Sequence, residues 1–226
     1  MYTLGIDTAG DMAVVSLMDN LKLVSEIYVD YSKNHSVQLM PMIESLFGMT
    51  GINKEEIDLI SVGKGPGSFT GMRIGLATAK ALSYGLGCEI VGVSTLKAMA
   101  YPFIDNDNFV LAIHDARNRR IFYGGYCAIN DKIVDIIPEN VESFDYIIEE
   151  LRKLDKKITI VGKDNQLFKE ALESNNIDYY WKEIILRGQS IARLGVEKHN
   201  SGQIDHYNTV LPSYIKLSQA EQNLKK

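Results

Sequence analysis

Two cysteines in 226 residues, Cys88 and Cys127, are too few for a disulfide scaffold, and both stand in apolar, strand-like settings that suit reduced core thiols. Long hydrophobic runs are missing too; none approaches the ~20 residues that a bilayer crossing requires. Basic charge is not in excess. The formal net charge is −5, which argues against tight nucleic-acid binding by this chain alone, because neutralising phosphates needs a basic face. Local basic clusters occur in "DARNRR" and "LRKLDKK", the second reading as solvated surface charge. The four histidines, His35, His114, His199 and His206, include no pair four residues apart, so a zincin-type helix is excluded and no metal site is expected. The opening "MYTLGIDT" lacks the basic region and cleavage site of a leader. A strand is expected there, and a cytoplasmic setting.

What is present is an alternation of strand and helix signals. "YTLGID", "MAVVSLM" and "LVSEIYV" are three strands in quick succession, joined by "TAGD" and "DN" turns. A helix, "HSVQLMPMIESLFG", should stop at Gly48. "NKEE" has capping-box spacing and should open a short helix. A buried strand in "DLISVGKG", a helix over 70–86, the strand "EIVGV" and the helix "STLKAMA" complete the first half. After the polar "DNDN", the three-strand theme returns in "FVLAIHD", "RIFYGGYCAI" and "KIVDII". "SFDYIIEELRKL", "KITIVG", "NQLFKEALES" and "SIARLGVEKHN" then supply helix, strand, helix, helix. Asp7 and Asp115 each end an apolar run and precede a turn and a strand. This weak repeat predicts an α/β protein of two related lobes, 1–104 and 105–226, with the last helix free to pack back on the first.

The segment "SVGKGPGSFTGMRIGLATAKAL" resembles a phosphate cradle without meeting its requirements. A Walker A loop ends in Gly-Lys-Ser/Thr, but Gly71 is followed by Met72 and Arg73, and Lys64 stands at the wrong end. Gly65 and Gly67 could open a dinucleotide fingerprint, but Thr70 holds the third glycine's place. Ser68 is not in a Gly-x-Ser-x-Gly elbow, since Pro66 and Thr70 flank it. The loop Gly65, Pro66, Gly67, Ser68, Thr70, Gly71 is therefore expected to be structural, a tight turn with Thr70 or Ser68 as the helix cap.

The aspartate turns have a similar history. In actin-like ATPases each lobe has an Asp-x-Gly-Thr or Asp-x-Gly-Gly hairpin whose glycine amides clasp phosphates. Here the first reads Asp7, Thr8, Ala9, and the second runs from Asp115 to Arg117. Side chains at Ala9 and Arg117 crowd the phosphate's place and would strain a positive-φ turn. Both cradles read as degenerate, and no cofactor is expected.

On the helix over 70–86, Met72, Gly75, Leu76, Ala79, Leu82 and Leu86 form one broad apolar side, with Ile74, Ala77 and Ala81 nearly opposite. A helix on a sheet needs only one such stripe. The expectation is that the Gly75–Ala79 side meets a partner, together with His35, Leu39, Met42, Ile43 and Leu46 of the preceding helix.

The segments "LGIDTA", "HSVQLMPMI", "VGKGPGSFTGMRIGLATAKAL", "DARNRRIFYGGY" and "PSYIKLSQAE" are together similar, in order and over essentially the whole chain, to the TsaB (YeaZ) family. The resemblance implies an actin-like (ASKH) fold of two lobes, each a mixed sheet flanked by helices. It also implies a non-catalytic assembly subunit of the tRNA N6-threonylcarbamoyladenosine transferase, which modifies the adenosine beside the anticodon. The implied partners are the catalytic subunit TsaD, bound through first-lobe helices, and the ATPase TsaE. The tRNA is met only through the complex, and the chain alone would form a homodimer. The alternative is a free-standing actin-like kinase or a peptidase-like enzyme.

Overall fold

A computed structural model describes the chain apart from residues 11, 31–34, 106–107, 131 and 216–226, and apart from the side chains of 35–37. Two compact units emerge. One comprises Met1–Ala98 and Leu186–Tyr214, the other Met99–Ile185 and Ile215–Lys226. The first unit ends at Ala98 where the sequence suggested a cut at 104, and it regains a late stretch that carries the last helix.

In the first unit, strands β1 (Tyr2–Asp7), β2 (Ala13–Asp19) and β3 (Lys22–Val29) form an antiparallel meander. Asn20, at φ 52°, makes the tight β2–β3 turn. Helix α1 (His35–Thr50) runs two residues beyond the expected stop at Gly48. It ends at Gly51, whose φ of 69° and N–H bond to the Phe47 carbonyl at 2.9 Å complete the terminus. The "NKEE" segment forms a single 3-10 turn (Lys54–Glu56), with the Asn53 N–H donating to the Glu56 carboxylate at 2.9 Å. Strand β4 (Ile57–Gly63) then pairs parallel with β1, and β5 (Glu89–Val93) parallel with β4. Between them lies α2 (Phe69–Leu86), capped by the Ser68 hydroxyl, which accepts from the Gly71 N–H at 3.2 Å, and closed by Gly87 at φ 68°. The order across the sheet is β3-β2-β1-β4-β5.

Period-two alternation decides what covers each face. Leu4, Ile6, Val15, Leu17, Ile60 and Val62 join α1 and α2 in one core, with Leu39, Met42, Ile43, Leu46, Leu76 and Ala79. The residues between them face α6 (Gly188–Asn200), as where the Ser61 hydroxyl donates to the Ile191 carbonyl at 2.6 Å. The first sheet is thus covered on both faces. Its second cover is supplied by residues far along the chain.

The second unit contains α3 (Thr95–Ala100) only by its end. Strands β6 (Asn108–Asp115), β7 (Arg120–Ile129) and β8 (Lys132–Ser143) form another antiparallel meander. Strand β8 extends past the expected Ile137 through Pro138, which an edge strand tolerates because one side needs no donor. Strand β9 (Lys157–Gly162) pairs parallel with β6, and β10 (Tyr179–Glu183) parallel with β9. Helices α4 (Phe144–Leu151) and α5 (Gln166–Ser174) bury Phe144, Ile147, Ile148, Leu151, Phe168 and Leu172 against this sheet. The strand order β10-β9-β6-β7-β8 repeats that of the first unit element for element.

Candidate functional site

The turn after β1 and the glycine loop after β4 meet at the carboxyl ends of the parallel strands. Asp7 is fully buried. Its Oδ1 accepts from the Ala9 N–H at 2.7 Å, its Oδ2 accepts from the Thr95 hydroxyl at 2.6 Å, and the Gly10 amide also serves it. Burial outweighs these bonds and raises the carboxyl from its ordinary 3.8 to about 6. Thr95 is also tied to the loop, accepting from the Gly65 N–H at 3.1 Å and donating its own N–H to the Gly65 carbonyl at 3.0 Å.

The remaining groups of the turn bond to the start of α2. The Ser68 N–H donates to the Ala9 carbonyl at 2.7 Å, and the Thr8 hydroxyl donates to the Gly71 carbonyl at 2.6 Å. The glycines allow this closeness. A β-carbon at Gly67 would collide with the Ala9 carbonyl, and one at Gly71 with the Thr8 carbonyl. Thr8 and Ala9 are 1% and 0% exposed. The amides that could clasp a phosphate are directed at Asp7, and the turn itself is roofed by the glycine loop.

Ala9 is not among the positive-φ residues, so the backbone strain expected there does not arise. The second turn differs. Arg117, Asn118 and Arg119 take φ of 63°, 55° and 55°, and the Arg117 N–H donates to Asp115 Oδ1 at 2.8 Å. The two aspartates thus make the same bond to the second residue beyond, but Asp115 is exposed. Among the described residues, no three His, Cys, Asp or Glu side chains converge as a metal ion would need.

Most of the side chains expected to meet a partner are buried within the chain itself. Leu39, Met42, Ile43, Leu46, Met72, Leu76 and Ala79 are all less than 5% exposed within the chain itself, and Gly75 is buried with its α-carbon against the Thr8 hydroxyl. Leu82 is half-buried against the same core. His35 opens α1, and its side chain lies outside the described residues. The small residues Gly75 and Ala79 bring α2 close to its own turn and sheet, leaving them no room for another helix. Facing away are Arg73, Ala77, Ala81, Tyr84 and Gly85 of α2, and Met40, Glu44, Ser45, Gly48 and Met49 of α1. Tyr84 is 70% exposed and Met49 65%. The signal for this face was the spacing of Ala77, Ala81 and Gly85 at i, i+4 and i+8.

Comparison with known proteins agrees with this architecture. A family model described as TsaD, tRNA N6-adenosine threonylcarbamoyltransferase, matches residues 29–223. The tRNA threonylcarbamoyladenosine biosynthesis protein TsaB of Bacillus subtilis is 30% identical over 226 aligned residues, 98% of this chain and 96% of that protein. YeaZ from Pseudomonas aeruginosa superposes with a TM-score of 0.75 at 20% identity, covering 94% of this chain and all of that one. The ROK hexokinase from Thermus thermophilus reaches 0.52 at 11% identity, over 88% of this chain and all of that one, a likeness of fold alone. The repeated sheet, the paired aspartate turns and these relatives lead to one conclusion: the fold is that of the actin-like ATPases, and the chain belongs to the TsaB (YeaZ) family of tRNA threonylcarbamoyladenosine biosynthesis proteins.

Proposed function

We propose that this chain is a non-catalytic assembly subunit in tRNA N6-threonylcarbamoyladenosine modification, supporting a TsaD-type catalytic subunit that modifies the adenosine beside the anticodon. The observation that carries the reading is the roofed turn. With the Ala9 and Gly10 amides directed at Asp7, and Ser68 and Gly71 closing over Ala9 and Thr8, the first lobe's phosphate clasp serves to dock α2. Docked in this way, α2 turns a seam of small residues outward beside α1, flanked by exposed Met40, Met49 and Tyr84. Small residues let a second helix approach closely, and exposed methionines and tyrosine supply apolar area to bury.

The catalytic subunit docks on this outer face of α1 and α2, and a TsaE-type ATPase joins the pair. In its absence a second copy of the chain covers the same face. The tRNA is bound by the assembly, in the cytoplasm. Ala77→Glu should leave the thermal melt of the isolated protein unchanged and abolish co-purification with the TsaD-type subunit of the same organism, because assembly would desolvate an unpaired charge. Ala79→Glu should unfold the first unit, since that side chain is 0% exposed. If Ala77→Glu still binds, the outer face is not the interface. Purified protein should not turn over ATP; robust hydrolysis abolished by Asp7→Asn would sink the non-catalytic reading.

A further inference from the structure

We infer that Arg73 is a pre-ordered recognition point on the outer face of α2, built to receive a carboxylate from the docking subunit in a two-pronged bond; this rests on the docking reading above. The Arg73 guanidinium carbon lies 4.0 Å from the centre of the Phe69 ring and 5.8 Å from that of Tyr214. The two rings stack at 4.8 Å, and Arg73 Nε donates to the Tyr214 hydroxyl at 3.0 Å. One nitrogen of the guanidinium is therefore engaged and its plane is fixed. The two terminal nitrogens make no hydrogen bond among the described residues, and no carboxylate there lies within ion-pair distance. Arg73 is exposed and stands one turn before Ala77, on the seam itself.

An arginine on a surface ordinarily loses its rotational freedom on binding. Here aromatic contacts and the Tyr214 hydroxyl have removed that freedom beforehand, the condition under which arginines dominate interfaces. A planar fork with both outer nitrogens open matches a carboxylate in geometry and charge. Lys80 follows two turns later, about 10 Å along the helix, also without an ion-pair partner among the described residues. On the α2 side of the seam these two cations stand among alanine, glycine and tyrosine. With Glu44 of α1 the one anion on this face of the two helices, the α2 side fits an acidic group on a protein surface. Two cations are too few for a nucleic-acid backbone, which a chain of net charge −5 would repel.

The test measures affinity for the purified TsaD-type subunit by calorimetry, with tRNA retention by the assembled complex as a second readout. Arg73→Ala should weaken binding by about ten- to a hundred-fold with an unchanged melt. Arg73→Lys should not restore it, because the ammonium lacks the fork. Tyr214→Phe, which keeps the ring and removes the hydroxyl, should give a smaller loss, about threefold. Ala77→Glu serves as the control for docking. If Ala77→Glu abolishes binding while Arg73→Ala changes it less than twofold, the proposal is overturned and the docking reading stands. If neither variant affects binding, both fall. Normal subunit affinity with lost tRNA retention in Arg73→Ala would assign the fork to phosphate and overturn the carboxylate assignment.

Discussion

Asp7 and Asp115 form one local bond in two environments, and the difference gives Asp7 a measurable signature. An acid whose folded-state pKa lies above its unfolded value binds more protons folded than unfolded between the two. Its contribution to stability is therefore largest in acid, falls as pH rises from about 4 to 6, and stays low above that. The raised value of about 6 corresponds to about 3 kcal/mol across the window. Asp7→Asn has no such titration. In urea unfolding, the stability of the Asn variant relative to the natural protein should improve from pH 4 to pH 7 by up to that amount; a difference independent of pH would show that Asp7 is not desolvated. The spacing of the aspartates was readable from sequence, because a side chain bonding its neighbour two residues on is a local event. The fate of Ala9 was not. What it meets is a loop some sixty residues away, and composition does not carry that contact.

At the level of the element, α2 shows why helix faces mislead. Both of its sides are apolar or small, so periodicity identifies two stripes and leaves open which one meets the sheet. Glycine positions separate them. Gly71→Ala, although alanine is the better helix former, should destabilise the protein by about 3 kcal/mol, because the new methyl meets the Thr8 carbonyl. Gly85→Ala meets nothing within 4 Å and should stabilise it by about 0.5–1 kcal/mol. Chemical denaturation of the two variants reads both signs, and equal effects would mean that α2 is not seated as described. Strand β10 is the other lesson. Its residues Tyr179–Glu183 are half-buried or exposed, at a sheet edge and rich in charge. With one neighbour and little to bury, it lacks the hydrophobic run by which strands are found.

For the whole molecule, the repeat of three strands and a turn was readable twice over, and the matching strand orders show it in three dimensions. The return of the chain was left open in the sequence, where the last helix was free to pack on the first lobe; in the structure Leu186–Tyr214 joins the first unit. A fragment ending at 104 keeps five strands and the helices α1, α2 and α3 but loses α6, the cover of the sheet's second face. It should lack a cooperative melt in circular dichroism, whereas 1–98 joined by a short linker to 186–214 should regain one. A cooperative melt of the shorter fragment would show that α6 is dispensable.

That return also sets a clock on synthesis. At about 5–20 residues per second, the ribosome needs roughly ten seconds to release the chain from Ala98 to Tyr214. Throughout that interval the finished N-terminal strands wait with one face bare. The bare face carries Gly5, Ser16 and Ser61 together with the apolar Val14, which lies beside Gly188 of α6, while Leu4, Ile6, Leu17 and Ile60 point to the side that α1 and α2 cover as they emerge. The nascent sheet thus gains one cover at once and keeps its other face, part hydroxyl and part apolar, open to water until α6 arrives.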